Sequence, residues 1–116
     1  MLSLPKTVKL EKEYENEILD YLNQRGDCLA FKVNTMGVFD ITTGRHRSKS
    51  KYDLNGQADI TAAFKGGIVI FFEVKKPGGR QSPAQKAFED RLKKLGNRYF
   101  VVVTVDDVRK AINESL

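Results

Sequence analysis

Asp59, Glu73 and Lys75 are the residues of this 116-residue chain whose types and spacing could do chemistry together. What joins them is a predicted hairpin. Gln57 to Phe64 and Ile68 to Lys75 are rich in β-branched and aromatic residues, and Lys65-Gly66-Gly67 between them is turn material. A three-residue loop at 65–67 pairs Phe64 with Ile68 and Ile60 with Phe72, and so sets Asp59 opposite Glu73. Opposed residues on antiparallel strands share a face, with Cβ atoms roughly 4.5–5.5 Å apart. One face is then wholly apolar, with Ile60, Ala62 and Phe64 against Ile68, Ile70 and Phe72. The other runs from Ala63 and Val69 through Thr61 and Phe71 to Asp59 and Glu73, and ends with Gln57 beside Lys75. A loop one residue shorter or longer would put the two acids on opposite faces.

Two carboxylates side by side at the end of an apolar hairpin repel each other, and the pair is costly unless a proton or a metal ion neutralises it. Oxygen-only ligation suits Mg²⁺ or Mn²⁺ rather than zinc. Lys75 lies on the same face and adds a fixed positive charge. Two acids, a divalent cation and an ammonium suit phosphodiester hydrolysis, in which the lysine orients the water or stabilises the transition state.

Asp59, followed 14 positions on by Glu73-Val74-Lys75, resembles the core of the PD-(D/E)XK nucleases. The surrounding residues narrow this: Gly56-Gln57-Ala58-Asp59-Ile60, Phe72-Glu73-Val74-Lys75, a Gly-Gly-Arg loop, and Ser82-Pro83-Ala84-Gln85. Over nearly its whole length the chain resembles the virus-type replication-repair nuclease (VRR-NUC) domain in its stand-alone, phage-like form. Ala58 departs from the proline or serine common there, a position that shapes the turn. The resemblance implies an α/β restriction-endonuclease-like fold, a mixed sheet flanked by helices in the order α-β-β-β-α-β-α. It implies a Mg²⁺- or Mn²⁺-dependent endonuclease with Asp59, Glu73 and the Val74 carbonyl as metal ligands. It also implies a glutamate on the first helix, assigned to Glu13 with Glu17 as substitute, and a glutamine facing the site, assigned to Gln85. Small members of the family are expected to act as homodimers on branched DNA, four-way (Holliday) junctions in particular, in DNA repair.

Composition fits one domain: 41% hydrophobic, 30% charged and net +5, a balance that favours a polyanionic partner. A single cysteine, Cys28, rules out an intrachain disulfide framework, and a single histidine rules out a His-rich metal site. No apolar run approaches membrane-spanning length, so the expectation is a cytoplasmic protein without a membrane partner, in the host cytoplasm if the chain is of phage origin.

In chain order, Lys9 to Gln24 reads as a helix with Leu10, Tyr14, Ile18, Tyr21 and Leu22 on one stripe and Gly26 at its end. Glu13 and Glu17 flank that stripe; they are either a solvated acidic edge or the acids that reach the metal. Cys28 to Asn34 reads as a strand burying Leu29, Phe31 and Val33, with Asn34 as a turn residue or a DNA contact. Thr35 to Asn55 is a long connection in which Arg45, Arg47, Lys49 and Lys51 suit phosphate contacts, from a small protruding hairpin or a solvated loop. His46 belongs to this loop's surface. Lys76 and Arg80, in the loop after the second hairpin strand, are further DNA contacts. Ser82, Pro83 and Gln85 form a capping box that starts a helix to Leu95, burying Ala84, Phe88, Leu92 and Leu95. Gln85 thus has a capping role beside the site role. Tyr99 to Val103 reads as a central strand buried on both faces, and Asp107 to Asn113 as a last short helix.

The rival from another class is a non-catalytic DNA-binding module in which Asp59, Glu73 and Lys75 form a structural ion-pair cluster. Within the nuclease class, the alternative is cleavage of flaps or ends rather than junctions.

Overall fold

The computed structural model describes residues 8–33, 39–40, 45–46 and 56–116. A first helix, α1 (Glu11–Gln24), leads into strand β1 (Cys28–Lys32). Two short strands follow, β2 (Phe39–Asp40) and β3 (Arg45–His46), then the hairpin strands β4 (Ile60–Phe64) and β5 (Ile68–Val74). Helix α2 (Pro83–Lys94) crosses over to β6 (Arg98–Val102), and α3 (Val105–Ser115) closes the described chain. The main sheet has the order β1-β4-β5-β6, with β5–β6 parallel and the other two pairs antiparallel. It is a mixed α/β sheet with helices on both faces. Among the described residues no helix is long and apolar enough to cross a membrane.

The predicted hairpin register holds: Phe64 pairs with Ile68 and Ile60 with Phe72. Gly66 and Gly67 both sit at positive φ, 90° and 80°, which is what closing so short a loop demands. The apolar face of β4 and β5 packs under α1 and α3. Ile60, Ile70, Phe72, Ile18, Leu22 and Ile112 are all at most 1% exposed, and each such side chain contributes about 1.5–3 kcal/mol of transfer free energy. Thr104 and Asp107 cap α3, which runs two residues longer at each end than its sequence pattern predicts.

Three expectations fail, two of them through incomplete cover of the second sheet face and one through the strand order. In β1 the buried residue is Ala30, while Leu29 and Phe31 are 65% and 46% exposed. The small Ala30 lets α1 come close enough for Asn23 to grip its backbone, donating to the carbonyl (2.9 Å) and accepting from the N–H (2.8 Å). Asn23 thereby stands in for a neighbouring strand on this edge. β6 is likewise an edge strand and not a central one, with Val101 exposed. On α2 no residue is fully buried: Phe88 and Leu92 are half-covered, while Ala84 and Leu95 are exposed. α2 lies over the β6 side of the sheet, where Phe88 meets Tyr99 at 6.2 Å between ring centroids.

β2 and β3 pair antiparallel, the small hairpin expected of this stretch. Asn34, Arg47, Lys49 and Lys51 lie outside the described residues, and of Arg45 and His46 only the strand backbone is described.

Candidate active site

β5 ends in two residues that its own alternation would not bury together. Glu73, on the α2 side of the sheet, and Val74, on the opposite side, are both 0% exposed. Glu73 is therefore a carboxylate placed in the interior, where each oxygen needs a partner. One has two: Oε1 accepts from the Tyr99 hydroxyl (2.5 Å) and from Gln81 Nε2 (3.3 Å). The other, Oε2, has no hydrogen-bond partner, and the Lys75 ammonium stands 3.8 Å away.

Lys75, mostly buried, is held by the start of α2. Its Nζ donates to Gln85 Oε1 at 3.0 Å, and the same oxygen accepts the Ser82 backbone N–H at 2.8 Å. The Ser82 hydroxyl returns the bond, accepting from the Gln85 N–H at 3.1 Å. The capping role and the lysine-facing role of Gln85 are thus not in competition: one carbonyl oxygen has two lone pairs and uses both. The backbone of Gly56 sets how close α2 comes. With φ at +79°, a Cβ there would lie 2.4 Å from the Ala84 carbonyl carbon and oxygen, so the turn into β4 and the first turn of α2 pack backbone to backbone.

Asp59 sits just beyond the last ladder pair, where β4 no longer satisfies β5, and its Oδ2 accepts the Val74 N–H at 2.7 Å. Burial pushes its carboxyl up to about 6, against the pull of that hydrogen bond; the charges of Glu15, Glu11 and Glu73 push it further. Among the α1 acids, those whose charge bears on Asp59 are thus Glu15 and Glu11, not the predicted Glu13. Glu13 is exposed and folds back on its own helix, accepting the Leu10 N–H at 3.3 Å. Glu17 is exposed too and pairs with Lys9 at 2.6 Å. Glu15 is 8% exposed, with the Lys32 ammonium 3.1 Å from its Oε1 but not angled to donate. The signal for Glu15 is in the sequence: with Ile18 and Leu22 it makes the i, i+3, i+7 pattern of a buried stripe.

Tyr99 and Gln81 were also missed. Tyr99 reads as core in an apolar run, and Gln81 as loop; Tyr99 reaches Glu73 through the parallel register that brings β6 beside β5, which no local pattern announces. Gln81 spans two acids, donating also to Glu89 Oε1 at 2.9 Å. Lys76 and Arg80 are exposed in the loop between β5 and α2, at the rim of the site.

Among the described residues no three His, Cys, Asp or Glu side chains already form a metal cage. The donor set nevertheless fits a hard cation: an unpartnered oxygen on a fully buried glutamate, and an aspartate whose ionised form is disfavoured by burial and neighbouring acids. Asp59 and Glu73, at the shared end of two strands, meet the charge requirement, and a divalent ion would relieve the repulsion that raises Asp59.

A mixed sheet whose hairpin ends in Asp59, Glu73 and Lys75 defines an α/β fold of the restriction-endonuclease-like kind. No protein-family model matches the chain, and no curated protein sequence does. Among solved structures, one titled "VRR_NUC domain" superposes with a TM-score of 0.65 over 91% of this chain and 97% of that one, at 22% identity. The chain has the VRR-NUC domain fold.

Proposed function

We propose that this protein is a divalent-cation-dependent endonuclease that hydrolyses phosphodiester bonds in DNA. The observation that carries the reading is Glu73 Oε2, a carboxylate oxygen in the interior with neither donor nor water-exposed surface, facing an immobilised lysine. A carboxylate in the interior is costly unless each oxygen is compensated, and a cation at Oε2 would complete what Tyr99, Gln81 and Lys75 begin. Asp59 and Glu73 would hold Mg²⁺ or Mn²⁺, with the Val74 carbonyl as a further oxygen and Glu15 in the place expected of Glu13. When bound, the cation lowers the pKa of a coordinated water and neutralises phosphate charge.

The chain's own residues supply the rest. Lys75 is held by Gln85, with its ammonium 3.8 Å from Glu73 Oε2. From there the ammonium orients the attacking water or meets charge developing on the phosphoryl oxygens, without reorganising during the reaction. Lys76 and Arg80 provide positive charge where the DNA backbone would pass, and Arg45, Arg47, Lys49 and Lys51 extend it along the chain. The substrate we infer is branched DNA, four-way junctions in particular, cut by a homodimer. The fold shared with a VRR_NUC domain supports a nuclease acting on DNA, and a two-fold junction would suit two sites.

The test is cleavage of a labelled four-way junction against linear duplex of the same sequence, in Mn²⁺ or EDTA, with wild type and Lys75→Ala. Metal-dependent, junction-selective cutting that Lys75→Ala lowers by at least about 10²-fold, with DNA affinity kept, is the expected outcome. Cutting of all substrates alike would keep the chemistry and discard the junction. Tight binding without cutting in any metal would make the protein a binding module.

A further inference from the structure

The interior of the site holds a relay that the proposed chemistry does not by itself require. Glu73 Oε1 accepts from Tyr99 on β6 and from Gln81 before α2, while Oε2 faces Lys75 with no partner of its own. We propose that Tyr99 and Gln81 are positioning residues that lock the Glu73 carboxylate so that Oε2 alone is presented to the divalent cation. The inference rests on the metal-site reading above and deepens it.

Nothing intrinsic to a glutamate fixes which oxygen points where, because its terminal torsion is broad and roughly two-fold. Here two donors converge on one oxygen, and a swing of the carboxylate would break both bonds at once. Each donor is itself held. The Tyr99 ring is 3% exposed and packs against Phe88. Its hydroxyl donates to Glu73 Oε1 at 2.5 Å. The Gln81 amide is stretched between two acceptors, Glu73 and Glu89, and this fixes its NH₂ toward the glutamate. Glu89 is anchored in turn by Lys93 at 2.6 Å. Neither donor has an atom that a metal would prefer to the carboxylate. Tyr99 and Gln81 therefore raise cation affinity by restricting Glu73, and outer partners of this kind typically matter by 10–100-fold in affinity.

The experiment is calorimetric titration of Mn²⁺ into the metal-free protein as wild type, Tyr99→Phe, Gln81→Leu and Glu73→Gln, with melting curves of each metal-free protein and cleavage rates as a function of Mn²⁺. Tyr99→Phe keeps the ring and deletes only the donor. It should weaken Mn²⁺ binding by about 10–100-fold, raise the half-saturating Mn²⁺ for cleavage by the same factor, and retain the rate at saturating Mn²⁺. A residue that served the fold alone would move the metal-free melting temperature and leave the Mn²⁺ affinity of the folded protein unchanged. Should Tyr99→Phe not fold, Gln81→Leu, cut from a half-buried loop residue, must show the same loss of affinity. Wild-type affinity in the folded variants overturns the proposal while the metal site stands. If the wild type binds no Mn²⁺, or Glu73→Gln binds as tightly as wild type, the metal-site reading itself fails and the proposal falls with it.

Discussion

Asp59→Asn should make the metal-free protein more stable and inactive at once. In the folded chain this carboxyl titrates at about 6, against an ordinary value of 3.8. Between those values the folded state keeps a proton that the unfolded chain has released, so stability falls as pH rises through the window and stays low above it. A displacement of about two units is worth up to about 3 kcal/mol. Asp59 is partly exposed, and solvent screening reduces that to about 1–2 kcal/mol. Asparagine keeps an oxygen for the Val74 N–H and never ionises. At pH 7.5 in EDTA, the variant should therefore melt about 4–8 °C above wild type, and the gap should close by pH 4. Mn²⁺ at about 100 times its Kd should return about 2.7 kcal/mol to the wild type and nothing comparable to the variant. The assay is a set of melting curves at pH 4, 6 and 7.5, with EDTA or Mn²⁺. A variant no more stable than wild type at pH 7.5, or a gap independent of pH, would refute the claim that Asp59 is held ionised at a cost.

Three further expectations follow from particular contacts. Glu15→Gln should weaken Mn²⁺ binding and cleavage, whereas Glu13→Ala should cost only a helix-end bond, about 0.5–1 kcal/mol, and cut normally; the reverse pattern would restore Glu13 to the site. Gly56→Ala forces a left-handed alanine and drives its Cβ into the Ala84 carbonyl, so unfolding in urea should show a loss of about 2–4 kcal/mol; a loss under 1 kcal/mol would mean that the turn and α2 are not in contact. Neutralising Arg45, Arg47, Lys49 and Lys51 should flatten the plot of log affinity for DNA against log salt by about 0.9 per lost phosphate contact, and an unaltered slope would remove this stretch from the interface.

How far the sequence carried the fold depended on how local each cause was. The hairpin register was legible because loop length and alternation agree on it, and that register alone places Asp59 and Glu73 together. The Ser82–Gln85 cap was legible from four adjacent residues. β1 was misread because its alternation is symmetrical: Leu29 and Phe31 are better hydrophobes than Ala30, yet α1 covers the alanine side. Which face of an edge strand is covered is decided by helices elsewhere in the chain. On α1, likeness of spacing points to Glu13, which the structure leaves exposed, whereas the helical pattern Glu15-Ile18-Leu22 marks the buried acid. Tyr99 could not have been found, since its role exists only once β6 lies parallel to β5.

That parallel pairing has a consequence for how the protein can vary. Parallel neighbours need a crossover, and here the crossover β5–α2–β6 delivers Glu73, Lys75, Gln81, Gln85 and Tyr99 from one continuous stretch, residues 73–99. Only Asp59 and the α1 acids come from outside it. Most residues of the candidate site thus come from one cassette, and β1, where the connection to β4 begins, lies on the far side of β4 from it. On the proposed function, lengthening, shortening or recharging that connection would alter which nucleic acid reaches the acids and the lysine, while the mutual geometry of Glu73, Lys75, Gln81, Gln85 and Tyr99 stays with the cassette. Substrate preference and catalysis would then be free to change separately, and grafting a different 34–55 segment onto this scaffold would be the direct route to redirecting it.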